Sequence, residues 1–164
     1  LFPLNRGYIL RTSWLMGPIG HNFALTMINL FNNKDNIKIV SDQFGSPTST
    51  LSLAKVCWEI VNKVLNNHEV PKIMHWSDSG IASWYDISIA IRELSFEKGL
   101  IQKKPDILPI LSKDFKTLAK RPKYSVLETK STIEALGIEN IAWEKNINYF
   151  LEIRKKYLNN DYII

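Results

Sequence analysis

Cysteine is almost missing from this sequence. Cys57 is the single one among 164 residues, which excludes an intramolecular disulfide and a thiolate metal cluster and fits a reducing compartment. No run approaches the roughly 18 to 20 consecutive apolar residues of a membrane span, and no charged-then-apolar leader opens the chain. A cytoplasmic protein with no membrane partner is therefore expected. Two further absences bear on chemistry. No Gly-x-Gly-x-x-Gly follows a strand, so the usual cradle for a dinucleotide pyrophosphate is lacking, and no tyrosine is followed four residues later by lysine. The chain also lacks a dense basic stripe. Its formal charge is +5, but the cations are scattered apart from Lys103-Lys104, Lys120-Arg121 and Arg154-Lys155-Lys156. That distribution argues against a nucleic-acid face and suits an anionic small molecule.

What is present has globular composition, with 45% hydrophobic and 23% charged residues, enough for one domain with a sizeable core. The opening Leu1-Phe2-Pro3-Leu4, without methionine and close to a strand, is expected of the middle of a longer polypeptide. Strand patterns at residues 8–15, 37–40, 72–76 and 107–111 alternate with helical stripes, so the class is α/β. Phe23, Met27, Leu30 and Phe31 mark the first helix. Leu53, Ala54, Cys57, Ile60, Val61, Val64 and Leu65 are the expected inner face of a second, with Cys57 in the core and hydroxyl caps at 48–50. Ser83 and Asp86 stand in capping-box spacing ahead of a third helix, for which Gly99 is the expected C′ residue. Residues 130–136 make a short helix closed by Gly137, and 143–158 a last one. The polar stretch 41–48, broken by Gly45 and Pro47, is expected to continue neither regular structure.

Four motifs occur in order: Arg11-Thr12-Ser13-Trp14 with Gly17 and Asn22-Phe23; Asp42-Gln43-Phe44-Gly45-Ser46-Pro47-Thr48; Gly80-Ile81-Ala82-Ser83-Trp84-Tyr85-Asp86; and Ala119-Lys120-Arg121-Pro122-Lys123-Tyr124-Ser125-Val126-Leu127. Together they resemble the carboxy-terminal half of the dTDP-4-dehydrorhamnose reductase family, in the extended short-chain dehydrogenase/reductase superfamily. Glu128 stands where that family carries aspartate. The resemblance implies the C-terminal portion of a Rossmann-type fold plus its small substrate-binding domain. Residues 1–164 would form the substrate-binding portion, and the NAD(P)-binding part would lie outside this chain. It further implies an oxidoreductase that reduces the C4 ketone of a dTDP-linked deoxy sugar with NADPH or NADH for polysaccharide biosynthesis. In that family a tyrosine acts as proton donor and a lysine tunes it. Neither partner of that pair is present here, so no catalytic residue is assigned and the chain alone is expected to be inactive. A homodimer is one assembly compatible with the resemblance, and the sequence does not fix the oligomeric state. The rival readings are a non-catalytic, reductase-like regulatory or binding subunit and another nucleotide-sugar epimerase or dehydratase.

The resemblance assigns Trp14 to the sugar pocket, where its indole would pack on an apolar sugar face; the other reading is a core tryptophan. Thr12 and Ser13, at the strand end, are candidates for the nicotinamide or sugar. Asn22, at a helix opening, can meet a diphosphate or cap the helix. Gln43, Gly45, Ser46 and Thr48 form a loop suited to the nucleotide, or simply a tight turn. Arg121 is the choice for the diphosphate, because a guanidinium offers two parallel donors and Pro122 stiffens its loop. Lys120 and Lys123 are read as solvated, Trp84 and Tyr85 as core wedges, and Arg11 as an ion pair or cap on the opposite strand face. No histidine has metal-type spacing, and no metal is expected.

Overall fold

The computed structural model describes residues 7–115, 117, 119 and 121–161. The opening Leu1-Phe2-Pro3-Leu4 and Lys120 lie outside the described residues. In chain order the elements are β1 (Ile9–Thr12), β2 (Leu15–Met16), α1 (Phe23–Asn33), β3 (Asn36–Val40), β4 (Phe44–Gly45), β5 (Thr48–Ser49), α2 (Thr50–Leu65), β6 (Ile73–Trp76), β7 (Ala82–Ser83), α3 (Trp84–Glu97), β8 (Asp106–Ile110), a 3-10 turn (Ser112–Asp114), α4 (Lys130–Leu136) and α5 (Trp143–Leu158).

Two parallel pairs organise these elements. β1 pairs with β6 in the register Leu10 opposite Met74, and β3 pairs with β8 with Ile39 opposite Pro109. Parallel partners need a crossover, and α2 supplies the one between β1 and β6. Each pair has its own core. Val56 and Ile60 of α2, Met74 and Trp76 of β6 and Leu136 of α4 form one. Met27 and Phe31 of α1, Ile87 and Ile91 of α3, Ile37, Ile107, and Ile147 and Phe150 of α5 form the other. Pro109 is tolerated because β8 is an edge strand, where one missing donor costs little.

Local chemistry sets the helix ends. Asn22 Oδ1 accepts from the Leu25 amide at the start of α1. Ser49 caps α2. At α3 the Ser83 hydroxyl accepts from the Asp86 amide while the Asp86 carboxylate accepts from the Ser83 amide, a closed capping box. Gly137 closes α4 at φ 66°, a left-handed conformation that glycine adopts without a Cβ clash.

Four expectations are corrected. The stretch 41–48 holds two short strands, because β4 pairs antiparallel with β7 and β5 pairs parallel with β2; two-residue strands take their partners from distant sequence, so local pattern does not show them. Cys57 is exposed, not core. The inner face of α2 is Leu53, Val56, Ile60 and Val64, while Ala54, Val61 and Leu65 point to solvent with Cys57. The helix carries two apolar stripes, and periodicity alone merges them. Arg11 is exposed and makes no ion pair among the described residues.

Asp78 joins the two ends of the β1-β6 unit. It is 3% exposed, accepts from the Ser49 amide at 2.9 Å and from the Ser52 hydroxyl at 2.5 Å, and so sits at the positive end of α2. Burial pushes its carboxyl above the ordinary value, and the hydrogen bonds from Ser52 and Ser49 offset part of that. A carboxyl raised in the folded state binds its proton more tightly there than in the unfolded chain. Its stabilising contribution is therefore complete below the unfolded value of 3.8 and declines as pH rises through the folded value. Unfolding midpoints of wild type and Asp78→Asn across acidic pH check this. The difference is expected to move against wild type as pH increases, and a flat difference excludes it.

Candidate ligand site

β1 ends in a junction. Trp14 adopts φ 46°, the left-handed region that an aromatic residue enters only under constraint from its surroundings. The constraints are visible. Thr12 Oγ1 donates to Thr48 Oγ1 at 3.0 Å, Thr48 Oγ1 donates to the Ser13 carbonyl at 2.6 Å, and Ser13 Oγ donates to the Ser46 carbonyl at 2.8 Å. The Thr48 amide reaches the Trp14 carbonyl at 3.2 Å. Ser46 Oγ in turn donates to the Gly80 carbonyl at 2.7 Å. The hydroxyl hydrogens of Thr12, Ser13, Ser46 and Thr48 are thus all committed within the chain, and Ser46 and Thr48 are buried.

Thrown out of the strand by this turn, the Trp14 indole stacks on Trp84 with centroids 3.8 Å apart and planes 19° from parallel. Phe23, at the start of α1, tilts against the other tryptophan, Trp84, at 4.5 Å. Gly45 leaves room for the stack, since a Cβ there would lie 2.7 Å from Trp14 Cζ2. Asn22 does not face outward freely. Its amide donates to the Gly17 carbonyl at 3.0 Å while its oxygen caps α1.

Beside the aromatic cluster lies a cavity of about 780 Å³ between α1, β3 and the residues Phe115, Thr117 and Arg121. Phe23, Thr26, Met27, Leu30 and Lys34 line it from α1. Residues 36–40, Gln43, Trp84, Leu108, Phe115, Thr117 and Arg121 complete the wall. Its size falls within the usual range of small-molecule sites. Among the described residues the lining carries three cations, Lys34, Lys38 and Arg121, and no carboxylate. The Arg121 loop is held in place by its neighbours: the Phe44 amide donates to the Lys123 carbonyl at 2.8 Å, and the Ser125 amide to the Phe44 carbonyl at 2.9 Å. Gln43 is held as well, its Nε2 donating to Ser112 Oγ at 2.9 Å. Ser112 bonds Asp42 through both hydroxyl and amide, at 2.6 and 2.7 Å, and holds that carboxyl below the usual range.

Of the residues singled out in the sequence, the structure brings Gln43 and Arg121 into the cavity wall. Trp14 sits one ring behind it, on Trp84. Asn22, Gly45, Ser46, Thr48, Thr12 and Ser13 build the junction that carries the aromatic wall. Sequence reasoning put Trp84 in the core; it packs against the core and also lines the cavity. Phe23, Lys34, Lys38, Phe115 and Thr117 were missed. The neighbouring Asn22 and the Arg121 loop were the available pointers to Phe23 and Thr117, and nothing local marks Lys38. Among the described residues no group of three or more metal-type side chains comes together, and no helix is long and apolar enough to cross a membrane.

Comparison with known proteins decides the family. The model of the RmlD substrate binding domain matches residues 3–155. The chain belongs to this family. A dTDP-4-dehydrorhamnose reductase from Aggregatibacter actinomycetemcomitans is 36% identical over 151 residues, covering 90% of this chain and 51% of that one. A Clostridium acetobutylicum dTDP-4-dehydrorhamnose reductase superimposes with a TM-score of 0.77 at 36% identity, covering 89% of this chain and 48% of its own. The Bacillus anthracis reductase, solved with NADP, gives 0.75 at 31% identity over 89% of this chain. The α/β class expected from the sequence is thereby shown, and the solved structures it matches are reductases. The RmlD-type chain spans about half the length of the curated relatives it matches.

The junction yields a prediction. Gly45→Ala drives a methyl into the Trp14 ring, and overpacking of this kind costs about 1 to 3 kcal/mol. Urea denaturation should show that loss together with a change in tryptophan emission; an unchanged midpoint would mean that the stack does not depend on the glycine.

Proposed function

We propose that this chain is the substrate-binding portion of a dTDP-4-dehydrorhamnose reductase. In this reading residues 1–164 hold a dTDP-linked 6-deoxy sugar in the 780 Å³ cavity, and the protein as a whole reduces its C4 ketone to give dTDP-L-rhamnose. The observation that carries it is the lining: three cations without a neutralising carboxylate, set beside aromatic rings, suit a ligand that combines a diphosphate with a flat base. The family match and the relatives' printed names support the same substrate class.

Arg121 is proposed as the diphosphate contact and Gln43 as a polar contact to the nucleotide. Trp14 acts through Trp84, which it holds against the cavity. A nicotinamide cofactor, where the whole reductase holds one, would supply the hydride for this reduction. The residues of this chain do not by themselves fit that cofactor: Thr12 and Ser13 have spent their hydroxyl hydrogens on Thr48 and Ser46, and the sequence holds no glycine-rich pyrophosphate turn. Binding of NADPH or NADH is therefore assigned to the half of the reductase that this chain does not match. What the present residues do is bind and orient the sugar nucleotide at the sheet end and shield it from water.

Calorimetry with dTDP on wild type and Arg121→Ala tests the reading. Loss of a charge-assisted bond should weaken binding by about ten-fold or more. Equal affinities remove Arg121 from the site, and no binding to wild type at millimolar nucleotide overturns the substrate assignment.

A further inference from the structure

Gln43 reaches the cavity wall with one end of its amide already committed. Its Nε2 donates to Ser112 Oγ at 2.9 Å, while the Ser112 hydroxyl and amide both donate to Asp42 Oδ1, at 2.6 and 2.7 Å. Which end of a glutamine amide faces a neighbour is decided by the network it joins. Here the network starts from a charge. The Ser112 hydroxyl holds the Asp42 carboxyl below its ordinary value, the Ser112 amide and the Lys123 charge add to that, and an ionised carboxylate only accepts. Ser112 therefore gives its single hydroxyl hydrogen to Asp42 and keeps only lone pairs for Gln43. Nε2 alone can answer them. The carbonyl Oε1 is turned away from Ser112, and among the described residues no donor reaches it.

Gln43 shares the cavity wall with Phe23, Trp84 and Arg121. Phe44, the next residue, bridges Tyr124 in parallel, so Gln43 and the Arg121 loop run side by side and can serve two parts of one nucleotide. Gln43 keeps two groups for a ligand, Oε1 and the second Nε2 hydrogen. Together they call for a donor and an acceptor side by side in one plane, the way a carboxamide reads a base edge. A deoxyribose hydroxyl lacks that planar pair. The N3–H of thymine or uracil, with a ring carbonyl on either side, supplies it. Cytosine has a bare acceptor at the same ring position and would set it against Oε1.

From this we infer that Asp42 and Ser112 are positioning residues that hold Gln43 with its carbonyl oxygen toward the cavity, and that this oxygen selects a pyrimidine carrying an N3–H, thymine or uracil, over cytosine. Neither Asp42 nor Ser112 lines the cavity, so both act through Gln43. Selection arises because the wrong base leaves two acceptors facing each other in a half-buried site, which costs more than a bond that is merely absent. The inference rests on the substrate reading above for the presence of a nucleotide, and on the Asp42-Ser112-Gln43 chain for the choice of base.

Calorimetry on the full chain tests this with two comparisons. dUDP against dCDP changes only the base edge, and dTDP against its N3-methyl and 3′-deoxy forms separates base from sugar. dCDP and N3-methyl-dTDP are expected to bind about ten-fold or more weakly than dUDP and dTDP, and the 3′-deoxy form as tightly as dTDP. Ser112→Ala lets the amide turn over and should bring dCDP close to dUDP, while Ser112→Thr keeps the preference. Circular dichroism and the affinity for inorganic pyrophosphate should stay at wild-type values in Ser112→Ala, which separates lost positioning from a lost fold. Gln43→Leu should lose the preference too, so the assignment is read from either variant. Equal binding of dUDP and dCDP by wild type, a preference that survives Ser112→Ala or Gln43→Leu, or weakening by the 3′-deoxy change instead of the N3-methyl overturns the inference and leaves the substrate reading standing. Binding of none of these nucleotides overturns both.

Discussion

At Trp14 the backbone leaves β1 through a left-handed turn that four hydrogen bonds to residues 46 and 48 hold in place. The two cores meet there. Released from that turn, Trp14 would continue the strand and its ring would leave Trp84; the cavity would then lose the support behind one wall. The strain of a non-glycine residue at φ 46° is held by short hydroxyl contacts whose partners are themselves buried or half-buried. This explains why hydroxyl residues crowd Thr12, Ser13, Ser46 and Thr48. Each one satisfies a backbone or side-chain group that burial would otherwise leave unpaired. Small side chains are needed for the same reason, since Gly45 lies directly against the indole.

Charge is distributed according to the same division between framework and cavity. Carboxylates near the binding region are used up in local bonds: Asp42 on Ser112, and Asp86 in the capping box of α3. Among the described residues the cavity cations have no such partner in its lining. An anion entering it therefore meets positive charge that the protein has not neutralised internally, and the apolar walls of Phe23, Leu30 and Trp84 lower the local dielectric around it. Asp78, by contrast, is fully withdrawn from solvent and serves the α2 terminus.

Two parallel pairs of strands, one of them with an edge that no strand meets among the described residues and with a half-exposed face, bury less surface than a doubly wound sheet does. The exposed apolar stripe on α2 belongs to the same picture. It explains how a helix can have the composition of a buried element and still show a tryptophan to water.

Helix ends and the longer strand segments were legible in the amino-acid sequence because they depend on neighbours a few residues away. Asn22, the Ser83-Asp86 box, Gly99 and Gly137 fall where local backbone chemistry requires them. The motif order also sufficed to identify the family, and two residues it pointed to, Arg121 and Gln43, stand in the cavity wall. Tertiary structure alone decided the rest. The phase of α2, the two-residue strands inside 41–48, the stacking of Trp14 on Trp84 and the presence of Lys38 in the cavity wall all depend on partners tens of residues distant. Side-chain period along one element shows which residues can share a face. Which of two apolar faces is buried depends on what the rest of the chain packs against it.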